Sequence, residues 1–106
     1  MARPTVGVAR RVTGGVDTHL ELNVAAGVDH IGGVLGVAEF PTTSAGHKGL
    51  LEWLEGFGEV ASVGVEGTGS YGAGLARYLR GAGVQVLEVA EPAEAHRREG
   101  RYRHPR

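Results

Sequence analysis

At 106 residues, with 42% hydrophobic and 22% charged side chains and a formal net charge of -1, the chain suits one small globular domain. It has no cysteine, which excludes disulfides and thiolate zinc sites, and no apolar run near the ~20 residues that cross a bilayer. The opening Met1-Ala2-Arg3-Pro4-Thr5-Val6 lacks the apolar core of a signal peptide, so a cytoplasmic protein with no membrane partner is expected.

Residues 1–11 read as a loose basic N-terminus, and strands follow near 12–17, 20–28 and 33–40. Leu20-Glu21-Leu22-Asn23-Val24 alternates apolar and polar residues with the period of a half-buried strand. Short turns at Thr18-His19 and over Asp29–Gly33 make the three strands an antiparallel meander. Pro41-Thr42-Thr43-Ser44 then offers capping hydroxyls to a helix in which Leu50, Leu51, Leu54 and Phe57 recur at helical spacing until Gly58. Glu52, Glu55 and Glu59 read as its solvated face. Val60 to Val65 is a short apolar run, as in a buried central strand. Ser70 is placed to cap a second helix that packs through Tyr71, Leu75, Tyr78, Leu79 and Ala82 and ends at a Gly83 cap. Val84 to Val89 completes a βαβ unit with parallel strands. The order β-β-β-α-β-α-β is that of a ribonuclease-H-like α/β domain with a mixed sheet, here spanning 12–95. Nineteen glycines imply many tight turns and a marginally stable domain.

Charge is unevenly spread. Residues 12–95 carry three basic against eleven acidic side chains, whereas 96–106 carry five arginines against Glu99. Arg97, Arg98 and Arg101, with Arg103, Arg106, His96 and His104 nearby, are candidates for contact with a nucleic-acid backbone. A solvated chain end explains the same composition equally well.

The stretch Val63-Gly64-Val65-Glu66-Gly67-Thr68-Gly69-Ser70-Tyr71-Gly72 carries the most chemistry. Gly67, Gly69 and Gly72 have the spacing of a dinucleotide-binding turn, with Glu88 as a ribose-binding acid one step later. A carboxylate directly before the first glycine argues against that use, since the amides of such a turn face an anionic pyrophosphate. These glycines either admit a phosphate close to the backbone or let the helix begin directly beneath the strand. An acid at a strand end is better suited to a metal ion, and Asp17 ends an earlier strand in the same way. Two such carboxylates are the usual protein share of a Mg2+ site used in phosphodiester chemistry.

The residues Gly15-Val16-Asp17-Thr18-His19, Phe40-Pro41-Thr42-Thr43 with the later Gly49-Leu50-Leu51 and Trp53-Leu54, and the Glu66 block through Leu79 resemble the N-terminal, RuvC-like domain of DEDD-type insertion-sequence transposases, relatives of the Piv and MooV DNA recombinases. The resemblance runs from about Gly15 to Gly100. It implies a ribonuclease-H-like fold, Mg2+-dependent DNA strand cleavage and transfer, DNA as partner and, in several members, a guide RNA. Candidate protein partners are a full-length transposase or a second copy of the chain, and the oligomeric state stays open. By position, Asp17 matches the family's first catalytic and metal-binding acid and Glu66 its second. The family then continues into Asp-x-x-Asp, where this chain has Arg103 and Arg106. Codons for Tyr102 to Arg106 read one nucleotide later can restore Thr-Asp-Thr-Pro and a following Asp, so a truncated or frameshifted transposase, inactive alone, is expected.

Two alternatives remain open at this level: a non-enzymatic remnant that binds DNA or a transposase, and a dinucleotide-binding module. Trp53, Tyr71 and Tyr78 fall at core spacing, and His19 reads as a turn residue making a local hydrogen bond, with assistance at the acid site as its lesser alternative.

Overall fold

The computed structural model describes residues 10–67 and 69–89. Seven elements follow in the expected order: β1 (Arg11–Thr18), β2 (Leu22–Val28), β3 (Val34–Pro41), α1 (Ser44–Glu55), β4 (Glu59–Glu66), α2 (Gly69–Gly81) and β5 (Gln85–Val89). One sheet contains all five strands in the order β3-β2-β1-β4-β5. β1, β2 and β3 pair antiparallel, whereas β4 runs parallel to both β1 and β5. This is the mixed sheet of a ribonuclease-H-like domain. It is unlike the all-parallel half of a dinucleotide fold, whose glycine turn follows the first strand. Among the described residues no helix is long and apolar enough to cross a membrane.

The turns follow from short polar residues. Asp29 accepts from the Ile31 N–H at 3.1 Å and the Gly33 N–H at 2.7 Å, which folds the chain between β2 and β3. The Gly33 N–H chiefly, and the Ile31 N–H with it, hold the Asp29 carboxyl below its ordinary 3.8. Between β1 and β2, the His19 N–H donates to the Leu22 carbonyl at 2.9 Å. That turn takes Leu20 and Glu21 out of the strand in which the alternation had placed them.

Both helices cover one face of the sheet and close on each other. Thr43 caps α1, its side chain accepting from the Gly46 N–H at 3.0 Å. Leu50, Leu51 and Leu54 then turn inward, while Gly56 to Gly58 end the helix, so Glu59 opens β4 instead of extending a helical face. On α2 the buried set is Gly72, Leu75, Ala76 and Leu79, at i, i+3, i+4 and i+7. The helix begins at Gly69, so Ser70 lies in its first turn and not before it, and Ala82 falls beyond the helix and is exposed. Gly83, at φ +87, makes the reversal into β5 as the Val84 N–H donates to the Leu79 carbonyl at 2.9 Å. With Val12, Val16, Ala25, Val63 and Val65 from the sheet, these leucines form the core. Each buried leucine is worth roughly 1.5–3 kcal/mol against exposure. Trp53 packs between Phe40 and Phe57 with ring centroids at 5.6 and 5.0 Å, a packing role as its spacing implied.

β2 holds a reversal of the expected pattern. Its period is two, but Asn23 is fully buried on the helix side while Leu22 is 41% exposed on the other. Pairing forces this: Asn23 lies opposite Thr18 and Val24 opposite Asp17, and β1 has already given Val12 and Val16 to the core. Among the described residues neither amide atom of Asn23 has a hydrogen-bond partner.

Candidate functional site

The uncovered face of the sheet presents its residues in straight rows. Alternation along β1 sends Val12, Gly14, Val16 and Thr18 toward the helices and Thr13, Gly15 and Asp17 the other way. Along β4, Val63 and Val65 are buried, which leaves Ser62, Gly64 and Glu66 on the open side. Registered pairing then builds one row across all five strands, Glu39, Val24, Asp17, Glu66 and Val89. Behind it runs a second, Val37, Ala26, Gly15, Gly64 and Leu87.

Asp17 and Glu66 are therefore direct neighbours on adjacent parallel strands, which lie about 4.8 Å apart in any sheet. They sit at one end of a shallow cleft of about 410 Å3 whose floor includes Gly15, Val24, Ala26 and Gly64. The small floor residues leave the sheet backbone open to approach. Glu66 is half-buried, less enclosed than a central-strand position suggested, because the sheet face around it has no covering helix among the described residues. The Asp17 side chain is 53% exposed, and the His19 Nε2 stands 3.2 Å from its Oδ2. The sequence left His19 between a local turn bond and a part in the site; its backbone makes the turn bond, and its ring stands beside Asp17. Glu39 adds a third negative charge to the row, so this end of the face repels a phosphate backbone unless a cation intervenes.

The chemistry of the donor set fits a hard divalent cation in part. Two carboxylates on one face are the kind of oxygen ligands that Mg2+ takes, with further positions left to water and substrate. No group of three or more His, Cys, Asp or Glu side chains able to hold a metal occurs among the described residues.

At the end of β4 the Thr18 hydroxyl donates to the Glu66 carbonyl oxygen at 3.1 Å. Gly67, at φ +141, follows in a conformation that side chains disfavour, and a Cβ there would coincide with the Thr18 hydroxyl. Gly72, buried on α2, faces Val65 and, further off, the same hydroxyl. Gly69 opens the helix. Gly67 and Gly72 thus face protein atoms, which supports their use in bringing α2 close beneath the strands. The basic tail, with Arg97, Arg98 and Arg101 as well as Arg103 and Arg106, lies outside the described residues, as does residues 1–9 of the N-terminus.

A family model described as transposase, of the DEDD type found in IS110 elements, matches residues 14–106. No curated protein matches the chain significantly. Among solved structures, the chain is similar to the ethanolamine utilization protein EutJ from Carboxydothermus hydrogenoformans, with 16% identity and a TM-score of 0.49. The match covers 84% of this chain and 39% of that one, so the chain spans about two fifths of the structure that it resembles.

Proposed function

The chain belongs to the DEDD-type transposase family, and from that premise we propose that it serves DNA transposition through a divalent-ion site of which Asp17 and Glu66 are one half. The observation that carries this reading is the register of β1 against β4, which sets the two acids side by side on the open face. When bound there, a divalent ion such as Mg2+ supplies charge neutralisation at a phosphodiester and activation of the attacking group. The chain's own residues do the rest: Asp17 and Glu66 provide the anionic oxygens, and Gly15 and Gly64 keep the floor low enough for a nucleic-acid strand to come near them.

Two carboxylates can hold a Mg2+ ion but are half of the family's four-acid set. Arg103 and Arg106 stand where the family pattern has its other two acids, and added positive charge opposes a cation. We expect this polypeptide to bind Mn2+ weakly and not to nick supercoiled DNA by itself. Titration of the 106-residue chain with Mn2+ should broaden the NMR signals of Asp17 and Glu66 before others, and Asp17→Asn or Glu66→Gln should abolish the effect. Broadening that survives both substitutions overturns the assignment.

A second reading, in which the chain works by binding a full-length transposase, is favoured by the apolar side chains left on the open face. Leu22, Val37, Leu87 and Val89 are each at least 41% exposed. Association with a full-length transposase that ignores Asp17→Asn and weakens in Leu87→Ser would support it over the metal reading, whereas DNA affinity that falls steeply with salt would point to the arginines of the tail.

A further inference from the structure

The end of β4 has a feature that the carboxylates alone do not require. In a parallel pair, successive hydrogen bonds tie the strands together as long as both continue. Here β1 leaves the sheet after Thr18, because the His19 N–H turns back to Leu22. The Glu66 carbonyl stands at the end of the ladder, and the acceptor is met by a side chain: the Thr18 hydroxyl at 3.1 Å. Thr18 is only 6% exposed, on the face opposite Asp17. Its seat exists because position 67 is glycine, since a Cβ on that residue would occupy the place of the hydroxyl. Gly72 holds α2 close on the same side, its own Cβ position 3.8 Å from that hydroxyl.

We propose that Thr18 is a positioning residue for the carboxylate pair: its hydroxyl, seated over Gly67, fastens the end of β4 to β1 and fixes where Glu66 stands relative to Asp17. This rests on the reading of Asp17 and Glu66 as ligands of a divalent ion. The residue after Asp17 and the residue after Glu66 then form one device, in which the hydroxyl and the missing Cβ are complementary. Loss of either frees the strand end that carries Glu66, while the core around Val63 and Val65 stays in place.

The test compares Thr18→Val, which keeps shape and loses the donor, with Thr18→Ser, which keeps the donor. Amide hydrogen exchange of the whole chain is read beside Mn2+ titration. In Thr18→Val, amides of residues 16–18 and 65–67 should exchange roughly two- to tenfold faster, the loss of one hydrogen bond, with amides at the middle of β1 and β4 unchanged. Its Mn2+ affinity should fall about tenfold, as when a ligand loses its supporting partner. Thr18→Ser should restore both. Exchange that rises evenly through the sheet, or Mn2+ affinity equal to that of the wild type, overturns the proposal and leaves Thr18 as ordinary packing. If the wild-type chain binds no Mn2+, the metal reading of Asp17 and Glu66 fails instead, and the exchange pattern still decides whether Thr18 fastens the strand.

Discussion

The two faces of the sheet are made by the same strands and meet opposite surroundings. Toward the helices, Val12, Val16, Ala25, Val63 and Val65 meet four fully buried leucines, Leu50, Leu54, Leu75 and Leu79, and polar side chains are few. On the other side, Thr13, Gly15 and Asp17 of β1 stand beside Ser62, Gly64 and Glu66 of β4, with no helix over them among the described residues. The packed core and the proposed site are thus separated residue by residue, at the period of two that any strand imposes. An acid at position 17 costs the core nothing because Val16 and Thr18 take the inward places. The comparison predicts that neighbouring residues respond to substitution in opposite ways.

The largest effect should come from the covered face. Leu54→Ala removes a fully buried side chain that fills the space beside Gly14 and Gly27, and should cost about 2–5 kcal/mol in urea unfolding. A sharper contrast uses the adjacent glycines of β1. A Cβ at Gly14 would lie 2.8 Å from Leu54 Cδ1 and 3.2 Å from Val63 Cγ2, whereas nothing stands within 4 Å of one at Gly15. Gly14→Val should therefore destabilise by about 1–3 kcal/mol through overpacking. Gly15→Val, with the same gain in strand propensity and backbone entropy, should be neutral or stabilising. Equal midpoints for the two variants would break the claim that the faces differ in packing.

These contrasts show what the sequence could and could not convey. The order of elements was legible because Leu50, Leu54, Leu75 and Leu79 repeat at helical spacing and because Val60 to Val65 is a short run rich in valine. Asp17 and Glu66 were legible as strand-end acids, but their register was not, since pairing between β1 and β4 joins residues 49 positions apart. The face of β2 was misleading for the same reason. Alternation put Leu22 on the half-buried side, yet pairing with β1 assigned the inner place to Asn23. The Thr18 hydroxyl bond was hidden too: threonine after an acid has many uses, and only the fold brings it to the Glu66 carbonyl.

A smaller effect on the covered face is set by pH. His47, on α1, is buried with its ring 6.1 Å from that of Tyr78, and burial holds its imidazole below the ordinary 6.5. The unfolded chain then binds the proton more readily than the folded one between the two values. Stability should accordingly fall as pH drops through about 6.5 and level off once the folded imidazole is also protonated. Thermal melts between pH 7.5 and 5 should show this slope in the wild type and a flatter one in His47→Gln. An unchanged slope would assign the pH dependence to other groups.

The smallest effect on stability is expected where the chemistry is proposed. Asp17 is largely exposed and Glu66 half-buried, and both point away from the leucine core. Asp17→Asn and Glu66→Gln keep shape and remove charge. Surface changes of that kind are usually within about 0.5 kcal/mol. The sign should be favourable when both are made together, because two neighbouring carboxylates and Glu39 in the same row repel one another with no cation between them. Melting of the double variant should therefore match or exceed that of the wild type in metal-free buffer, and the order should reverse when Mn2+ is added, since only the wild type gains from binding. A double variant that melts well below the wild type without metal would show that the acids support the fold, and the division of labour between the two faces would fail at the residues on which the functional reading depends.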